Sequence, residues 1–364
     1  MTDAGTDECL LLLRSSKVLI EQFQKSLASL QHDQATSHDQ PSPLTLLKAA
    51  AQALKSTVTK LSLLAITTPF TPSAICTQLK SLHGTILPPL ATSSVLISAE
   101  IHPDLFAKDC LNLARATFVE TKAFLETIEQ RAKAARTQSR VSDDDKQGVM
   151  ESTGRVWAAC DALVKFSEDG VPGFLVKRAE QWLALMKDAV QELQEWDPEE
   201  LVDDDLFGEG LSDDGSATSP SAEVRDADEV TVAAGVKEQA LKVLQRIPQS
   251  IHVLIKQRLA QLSQIEPTTV ARHTKTLDLV LKNVRRISES IDESAEAVYM
   301  GNPELCLKKA GEARAIAIDT IQAVVKPWQG TNDATETKQD IYIQRALTWI
   351  QQVDPESVQQ TKRT

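Results

Sequence analysis

The fold is decided by one stretch, residues 174–196, which reads FLVKRAEQWLALMKDAVQELQEW. Its apolar positions recur at alternating steps of four and three residues, the spacing that places side chains on one stripe of an α-helix. The pairs Pro172-Gly173 before it and Asp197-Pro198 after it are typical of helix ends. The apolar stripe consists of Leu175, Ala179, Trp182, Met186, Ala189, Leu193 and Trp196.

The same helical period covers most of the 364 residues, and no segment shows the sustained alternation of a strand. We therefore predict an all-α fold of long antiparallel helix bundles, with about ten helices in two halves joined by an acidic disordered linker. Pro88-Pro89 and Pro248 lie inside helical patterns and are expected to kink or break them. The predicted helices span residues 9–30, 43–66, 72–98, 103–138, 143–168, 173–196, 226–263, 268–300, 303–326 and 334–353.

These helices define a domain organisation along the chain. We predict a flexible N-terminus at residues 1–42 that contains a first helix at about 9–30, and an N-terminal bundle at 43–198. An acidic linker at 199–225 then leads to a C-terminal bundle at 226–353. Residues 1–8 and the tail at 354–364 are expected to be loose, since they lack apolar periodicity.

The negative charge of the chain is concentrated in one segment. The formal net charge is −12. Residues 197–229 contain thirteen acidic residues against the single base Arg225, so the rest of the chain sums to zero. A basic footprint is absent at the level of the whole chain, and we expect no direct nucleic-acid partner. Since no apolar run approaches about 18 residues, we expect no membrane span either.

Apolar residues within the acidic segment suggest a docking function. Acidic segments of this kind can fold onto the groove of a partner, while their charge keeps them soluble. A plain solvated linker is the alternative, and the sequence leaves both open. Phosphorylation at serines in this segment would add further negative charge. The candidate docking residues are Leu201, Val202, Leu206, Phe207 and Leu211, and the candidate phosphorylation sites are Ser212, Ser216 and Ser219.

No enzyme signature is present in the sequence. It contains no P-loop, no glycine-rich dinucleotide turn, no zinc-protease helix motif and no nucleophile elbow. The six histidines and five cysteines show no spacing typical of a metal site, and the odd number of cysteines suggests no disulfide framework. We therefore expect a non-enzymatic protein without a catalytic, cofactor-binding or metal site.

Two further patterns have ordinary structural interpretations. The tryptophans, including Trp157, follow helical spacing and are interpreted as core or inter-helix packing. The basic residues Lys282, Arg285 and Arg286 are interpreted as a solvated helix face, with Arg285 placed to pair with Glu289 one turn later.

Four stretches in a fixed order carry a resemblance to a known family, and together they cover most of residues 45–350. The order of the four stretches along the chain is what identifies the family. The stretches are ALKSTVTKL (53–61) followed by PFTP (69–72) and Cys76, VWAAC (156–160), VQELQEWDP (190–198), and ISESID (287–292) leading to Val298-Tyr299.

This order resembles the cyclin-D-binding proteins, also called GCIP or the human homologue of Maid. The resemblance implies an all-helical regulator of cell-cycle progression that binds cyclin D and antagonises helix-loop-helix transcription factors. It also implies a location in both nucleus and cytoplasm, and it supplies no catalytic residues. The alternative is a cytoskeletal or junctional adaptor of the vinculin or α-catenin kind. Such adaptors need contact with actin or a membrane, usually through a basic surface. The helical body of this chain is neutral, which disfavours this alternative.

Overall fold

The computed structural model describes residues 2–29, 42–136, 142–197, 221–328 and 337–353. For residues 2–4, 29, 136 and 221–230 it describes the backbone alone. Every regular element in these ranges is helical, and none of their residues belongs to a strand. The predicted all-α fold is therefore confirmed. The chain divides into an N-terminal unit, Met1–Phe174, and a C-terminal unit, Leu175–Thr364.

Proline residues set several helix boundaries in the N-terminal unit. Pro43 occupies the first turn of a helix that spans the predicted residues 43–66. The predicted helix 72–98 is broken by a π-helical turn, Leu82–Ile86, which ends one residue before Pro88-Pro89. The cause is that proline has no N–H to donate to the preceding turn. The helices are α1 (Thr2–Ser29), α2 (Pro43–Ile66), α3 (Pro72–Ser81), α4 (Leu87–Leu96), α5 (Asp104–Arg136) and the first part of α6 (Asp143–Glu195).

The core of this unit forms where α1 packs against α3 and α5, and where α2 packs against α4. Phe118 of α5 is fully buried, and its ring stacks on Phe23 of α1 with centroids 5.9 Å apart. Further fully buried side chains from α1 and α2 complete the core, including Leu13, Ile20, Leu54 and Leu61. Burial of such side chains contributes about 1.5–3 kcal/mol each.

Helix α6 is interrupted at Gly170, as the predicted pair of helices 143–168 and 173–196 requires. Gly170 has φ 57° and ψ −166°, a backbone conformation that is essentially restricted to glycine. Pro172 follows two residues later and cannot donate the hydrogen bond that a continuous helix needs. At the start of α6, Ser142 and Asp145 cap each other's backbone N–H groups at 3.0 Å, which fixes the helix start at the predicted residue 143.

The second part of α6 packs within the C-terminal unit. Glu180 pairs with Lys256 at 2.9 Å, and the Trp196 ring lies 5.3 Å from the ring of Tyr299. The N-terminal bundle therefore does not extend to residue 198 as predicted. The other elements of the C-terminal unit are α7 (Ser221–Leu244), α8 (Arg246–Leu254), a π turn (Ile255–Leu259), a 3₁₀ turn (Ala260–Gln264), α9 (Pro267–Arg272), α10 (Thr274–Tyr299), α11 (Pro303–Ala323) and α12 (Lys338–Gln351).

Helices α10 and α11 form an antiparallel hairpin. Gly301 supplies the positive φ, 66°, that the connection needs, and the Asn302 side chain accepts the backbone N–H of Leu305 at 3.1 Å. Pro303 then starts α11, as the sequence predicts. The apolar side chains that recur at helical spacing on α10 are buried along its whole length: Leu277, Val280, Val284, Ile287, Ile291 and Val298.

The N-terminal end of α12 is held by a buried arginine. Arg258 is 3% exposed and donates to Asp340 at 2.6 Å and to the backbone carbonyls of Val324 and Val325 at 2.7 and 2.8 Å. Asp340 also forms a reciprocal capping box with Thr337. Burial alone would raise the pKa of Asp340, but the hydrogen bonds from Thr337 and Arg258 hold it below its ordinary value.

Two further arginines hold the C-terminal end of the same helix. Arg246 donates to the carbonyl of Trp349 at 2.8 Å and lies over its ring. Arg314 donates to the carbonyls of Ile350 and Gln351 at 3.1 and 2.8 Å. These carbonyls have no partner within the helix, so the arginines both satisfy them and complement the negative end of the helix dipole.

The structure also corrects the predicted starts of two helices. Helix α1 begins at Thr2, so residues 2–8 are helical where we predicted a loose stretch. Helix α7 begins at Ser221, so the last five residues of the predicted linker 199–225 are helical. In both cases acidic residues precede the apolar pattern, and the helix dipole favours acidic residues at a helix N-terminus. The remainder of the predicted linker and the tail 354–364 lie outside the described residues.

Glu129 of α5 gives a testable electrostatic link between α5 and α1. Its buried carboxylate contacts Lys17 at 2.5 Å, Lys133 at 2.8 Å and Arg14 at 3.6 Å. Hydrogen bonds from Lys133 and Lys17 lower the pKa of Glu129 to about 2, although its desolvation acts in the opposite direction. We expect Glu129→Gln to lower the free energy of unfolding at pH 7 by about 3 kcal/mol.

This loss should depend on pH with a defined sign. Because the folded pKa is depressed, the stabilisation is complete above the ordinary value of 4.5 and disappears as the pH falls towards 2. Urea unfolding of wild type and variant between pH 7 and pH 3 measures the difference. The exposed Glu126→Gln on the same helix is the control, with an expected change within about 0.5 kcal/mol. A Glu129→Gln difference that stays constant down to pH 3 would contradict the assignment.

Candidate partner-binding surface on α2 and α6

Two ion pairs align α2 with the first part of α6. Lys48 contacts Glu168 at 2.9 Å, and Lys55 contacts Asp161 at 2.6 Å. A step of seven residues forward on α2 thus matches a step of seven residues backward on α6, so the two helices run antiparallel. Continued by a further seven residues, about two turns, this register places Ser62 of α2 opposite Gly154 of α6, with Leu63 as the next residue of α2.

One stripe of α6 is buried in the core of the N-terminal unit. Its members recur at helical spacing and are at most 4% exposed. Burial raises the pKa of the Cys160 thiol in this stripe to about 12, so the thiol stays protonated and behaves as a small apolar side chain. The stripe consists of Val149, Thr153, Val156, Cys160 and Leu163.

A second apolar stripe of α6 is exposed on the side that faces α2. Met150 is 55% exposed and Trp157 is 37% exposed. Gly154 lies between them, and a Cβ atom placed on it would meet no other atom within 4 Å. Leu63 of α2 is 57% exposed. We call Leu63, Met150, Gly154 and Trp157 the α2–α6 strip. It presents two large apolar side chains on α6 around the open space left by a glycine.

Charged residues border the strip on both sides. The Lys55 ammonium lies 5.9 Å from the centroid of the Trp157 ring while it pairs with Asp161, which restrains the indole in its exposed position. On the opposite flank of α6, Arg155 pairs with Glu120 at 3.0 Å and with Glu151 at 3.2 Å. An apolar centre with an aromatic anchor and a charged rim is the usual arrangement of a protein–protein interface.

None of the site residues predicted from the sequence lies within the described ranges. The candidate docking residues Leu201, Val202, Leu206, Phe207 and Leu211 lie outside the described residues, as do Ser212, Ser216 and Ser219. Docking and phosphorylation in this segment remain predictions.

Sequence reasoning missed the exposure of Trp157. We interpreted this residue as packing, and it does contact Lys55 of α2, but more than a third of its surface is open to solvent. The signal was present in the spacing. Met150, Gly154 and Trp157 recur at steps of four and three residues, displaced by one position from the buried Val149, Thr153 and Val156. Two adjacent apolar stripes on one helix indicate that one of them is available to a partner.

Within the described ranges, no group of three or more histidine, cysteine, aspartate or glutamate side chains is arranged to hold a metal ion. The helices of these ranges also include none that is both long and apolar enough to cross a membrane.

Comparison with known proteins relates part of the chain to a family. A protein of Schizosaccharomyces pombe (strain 972), described as uncharacterized, is 23% identical over 244 residues, which cover 66% of this chain and 70% of that protein. Residues 46–199 match the family model described as "Grap2 and cyclin-D-interacting, N-terminal". This range contains α2 from residue 46 onward, all of α6 and the α2–α6 strip. The resemblance to the cyclin-D-binding proteins is thus confirmed, and residues 46–199 are the region of this chain that corresponds to the N-terminal part of that family.

Proposed function

We propose that this chain is a non-enzymatic interaction protein that binds cyclin D, or a related helical partner, through the α2–α6 strip. The observation that carries the proposal is the exposed Trp157, restrained by Lys55 and flanked by Met150, in the region that matches a cyclin-D-interacting family. Tryptophan is enriched among the residues that dominate binding energy. An amphipathic partner helix would fit such a strip by placing a side chain over Gly154.

Control of cell-cycle progression is the consequence we propose for this binding. A cyclin held on the strip is withdrawn from its other partners, and a helix-loop-helix factor offers the same kind of amphipathic helix. The proposal includes action in both cytoplasm and nucleus. The binding of cyclin D is supported by the description of the matching family, which names cyclin D and Grap2 as interacting proteins.

The direct test is calorimetric titration of purified cyclin D into the full-length chain. Trp157→Ala and Met150→Glu are expected to weaken binding at least about tenfold each, because they remove the aromatic anchor or place a charge at the centre of the strip. Val119→Glu is the matched control, since Val119 is 52% exposed on α5 of the same unit and should leave binding unchanged.

Each outcome of this titration has a defined meaning. The function as proposed fails if the wild-type chain binds neither cyclin D nor a helix-loop-helix factor at micromolar concentration. If binding persists in both strip variants, the partner uses another surface. A variant that lacks residues 199–220 then distinguishes the acidic segment from the helical body. Co-sedimentation with actin filaments in place of cyclin binding would support the cytoskeletal adaptor.

A further inference from the structure

A stripe of cations runs along the exposed side of α10 in the C-terminal unit. Lys275, Leu279, Lys282 and Arg286 recur at steps of four, three and four residues, so they share one face of the helix. All four are exposed, and Leu279 in the middle is 46% exposed. The stripe is about 17 Å long at 1.5 Å per residue. It lies outside residues 46–199 and belongs to a different unit from the α2–α6 strip.

The cations of this stripe lack acidic partners among the described residues. Lys275, Lys282 and Arg286 form no ion pair there, whereas the neighbouring Arg285 pairs with Glu289 at 2.9 Å, as its spacing predicts. Glu293 lies further along the same face and is paired with Lys309 at 2.7 Å. Three positive charges on one helix face, none of them in an ion pair with a described residue, are therefore retained in a chain whose net charge is −12.

We propose that the α10 stripe binds an acidic amphipathic helix of a partner protein. Three carboxylates of the partner pair with Lys275, Lys282 and Arg286, and an apolar side chain of the partner contacts Leu279. Charge complementarity selects this partner, and the exposed leucine between the cations distinguishes the stripe from a purely solvated charged face.

The spacing of the charges makes the recognition specific. At physiological ionic strength charges are screened beyond about 8 Å, and the stripe is roughly twice that length. Each cation must therefore be met by its own carboxylate. An antiparallel partner helix needs acids at positions 1, 5 and 12 and an apolar residue at position 8. A parallel partner helix needs acids at positions 1, 8 and 12 and the apolar residue at position 5.

The test uses the full-length chain and three synthetic helical peptides of identical composition, followed by fluorescence anisotropy. Two peptides carry glutamates and leucine at the antiparallel and parallel positions, and the third distributes the same residues around the helix. We expect one matched peptide to bind at least tenfold more tightly than the distributed peptide. Lys282→Glu should weaken that binding at least tenfold and Leu279→Ser about threefold. Lys308→Glu, a charge reversal of an exposed lysine on α11, should change neither.

Three results would overturn the proposal. They are equal affinity for all three peptides, an unchanged affinity in Lys282→Glu, and binding only to vesicles of phosphatidylcholine and phosphatidylserine, which would assign the stripe to a lipid surface. Cyclin D titration of the same Lys282→Glu variant separates this proposal from the function of the α2–α6 strip. Cyclin binding should be unchanged there, so either proposal can fail while the other stands.

Discussion

Phe106→Ala is expected to lower the free energy of unfolding of the N-terminal unit by about 3–5 kcal/mol. The Phe106 ring is fully buried and stacks on Phe166 with centroids 4.4 Å apart. Phe174 packs edge-on at 5.2 Å, and the His102 ring lies 5.6 Å away on the remaining side. These rings come from the start of α5 and from both sides of Gly170 in α6. Truncation would leave a cavity that rigid helices cannot close.

Urea unfolding, followed by the fluorescence of Trp157 in a chain whose other four tryptophans are replaced by phenylalanine, measures this loss within the N-terminal unit. Phe106→Leu in the same background is the matched control, since it retains most of the volume and should cost less than about 1.5 kcal/mol. A second readout is His102, whose pKa is lowered by burial. Water entering the cavity should move that pKa back up towards the ordinary value, as seen by NMR titration. An alanine variant that loses less than 1 kcal/mol would contradict the packing described.

Asp340→Ala is the second substitution with a large expected effect, about 3–5 kcal/mol on the docking of α12. The variant leaves the buried Arg258 without its counter-charge and removes the capping box with Thr337. The loss should be local, because α12 contributes few buried side chains, namely Ile343, Ala346 and Ile350. Hydrogen exchange of the α12 amides is therefore the appropriate measurement.

Comparison of Asp340→Asn with Asp340→Ala separates the effect of the lost charge from the effect of the lost cap on α12. Asp340→Asn keeps a side chain able to accept the Thr337 N–H and should retain part of the protection that alanine loses. Asp319→Ala removes an exposed carboxylate from α11 and should leave α12 exchange within about 0.5 kcal/mol of wild type. Equal hydrogen-exchange rates of the α12 amides in wild type and Asp340→Ala would show that the ion pair of Arg258 with Asp340 does not hold the helix in place.

The sequence predicted those parts of the fold that depend on local chemistry. Helical period predicted helices where α2, α10 and α11 lie, and α2 and α11 begin at a proline at the predicted residues 43 and 303. The reciprocal cap of Ser142 and Asp145 depends on residues three positions apart and was equally predictable. By contrast, Arg258 and Asp340 are 82 positions apart, and Glu129 and Lys17 are 112 positions apart. No periodicity connects such residues, so these pairs become visible only once the helices are packed.

The candidate binding surface was predictable to a smaller degree. Spacing shows that Met150, Gly154 and Trp157 share a stripe, but it does not show which of two adjacent stripes the core covers. That choice depends on the packing of α6 against α2, which Lys48–Glu168 and Lys55–Asp161 establish across more than a hundred residues of sequence. For the same reason the cations of α10 were interpreted only as a solvated face. Their lack of acidic partners among the described residues is a property of the packed unit.

The five cysteines provide a built-in set of reporters for the motions of individual helices. All five are free and buried, and each lies in a different helix: Cys9 in α1, Cys76 in α3, Cys110 in α5, Cys160 in α6 and Cys306 in α11. Burial raises the pKa of every one, so an alkylating reagent reacts only after the helix around the thiol has opened. The alkylation rate of a cysteine, measured peptide by peptide by mass spectrometry, therefore reports the opening of the helix around it. Cys9 and Cys76 are hydrogen-bonded to each other and together report the separation of α1 from α3. A partner bound at the α2–α6 strip would slow the alkylation of Cys160 more than the alkylation of Cys306.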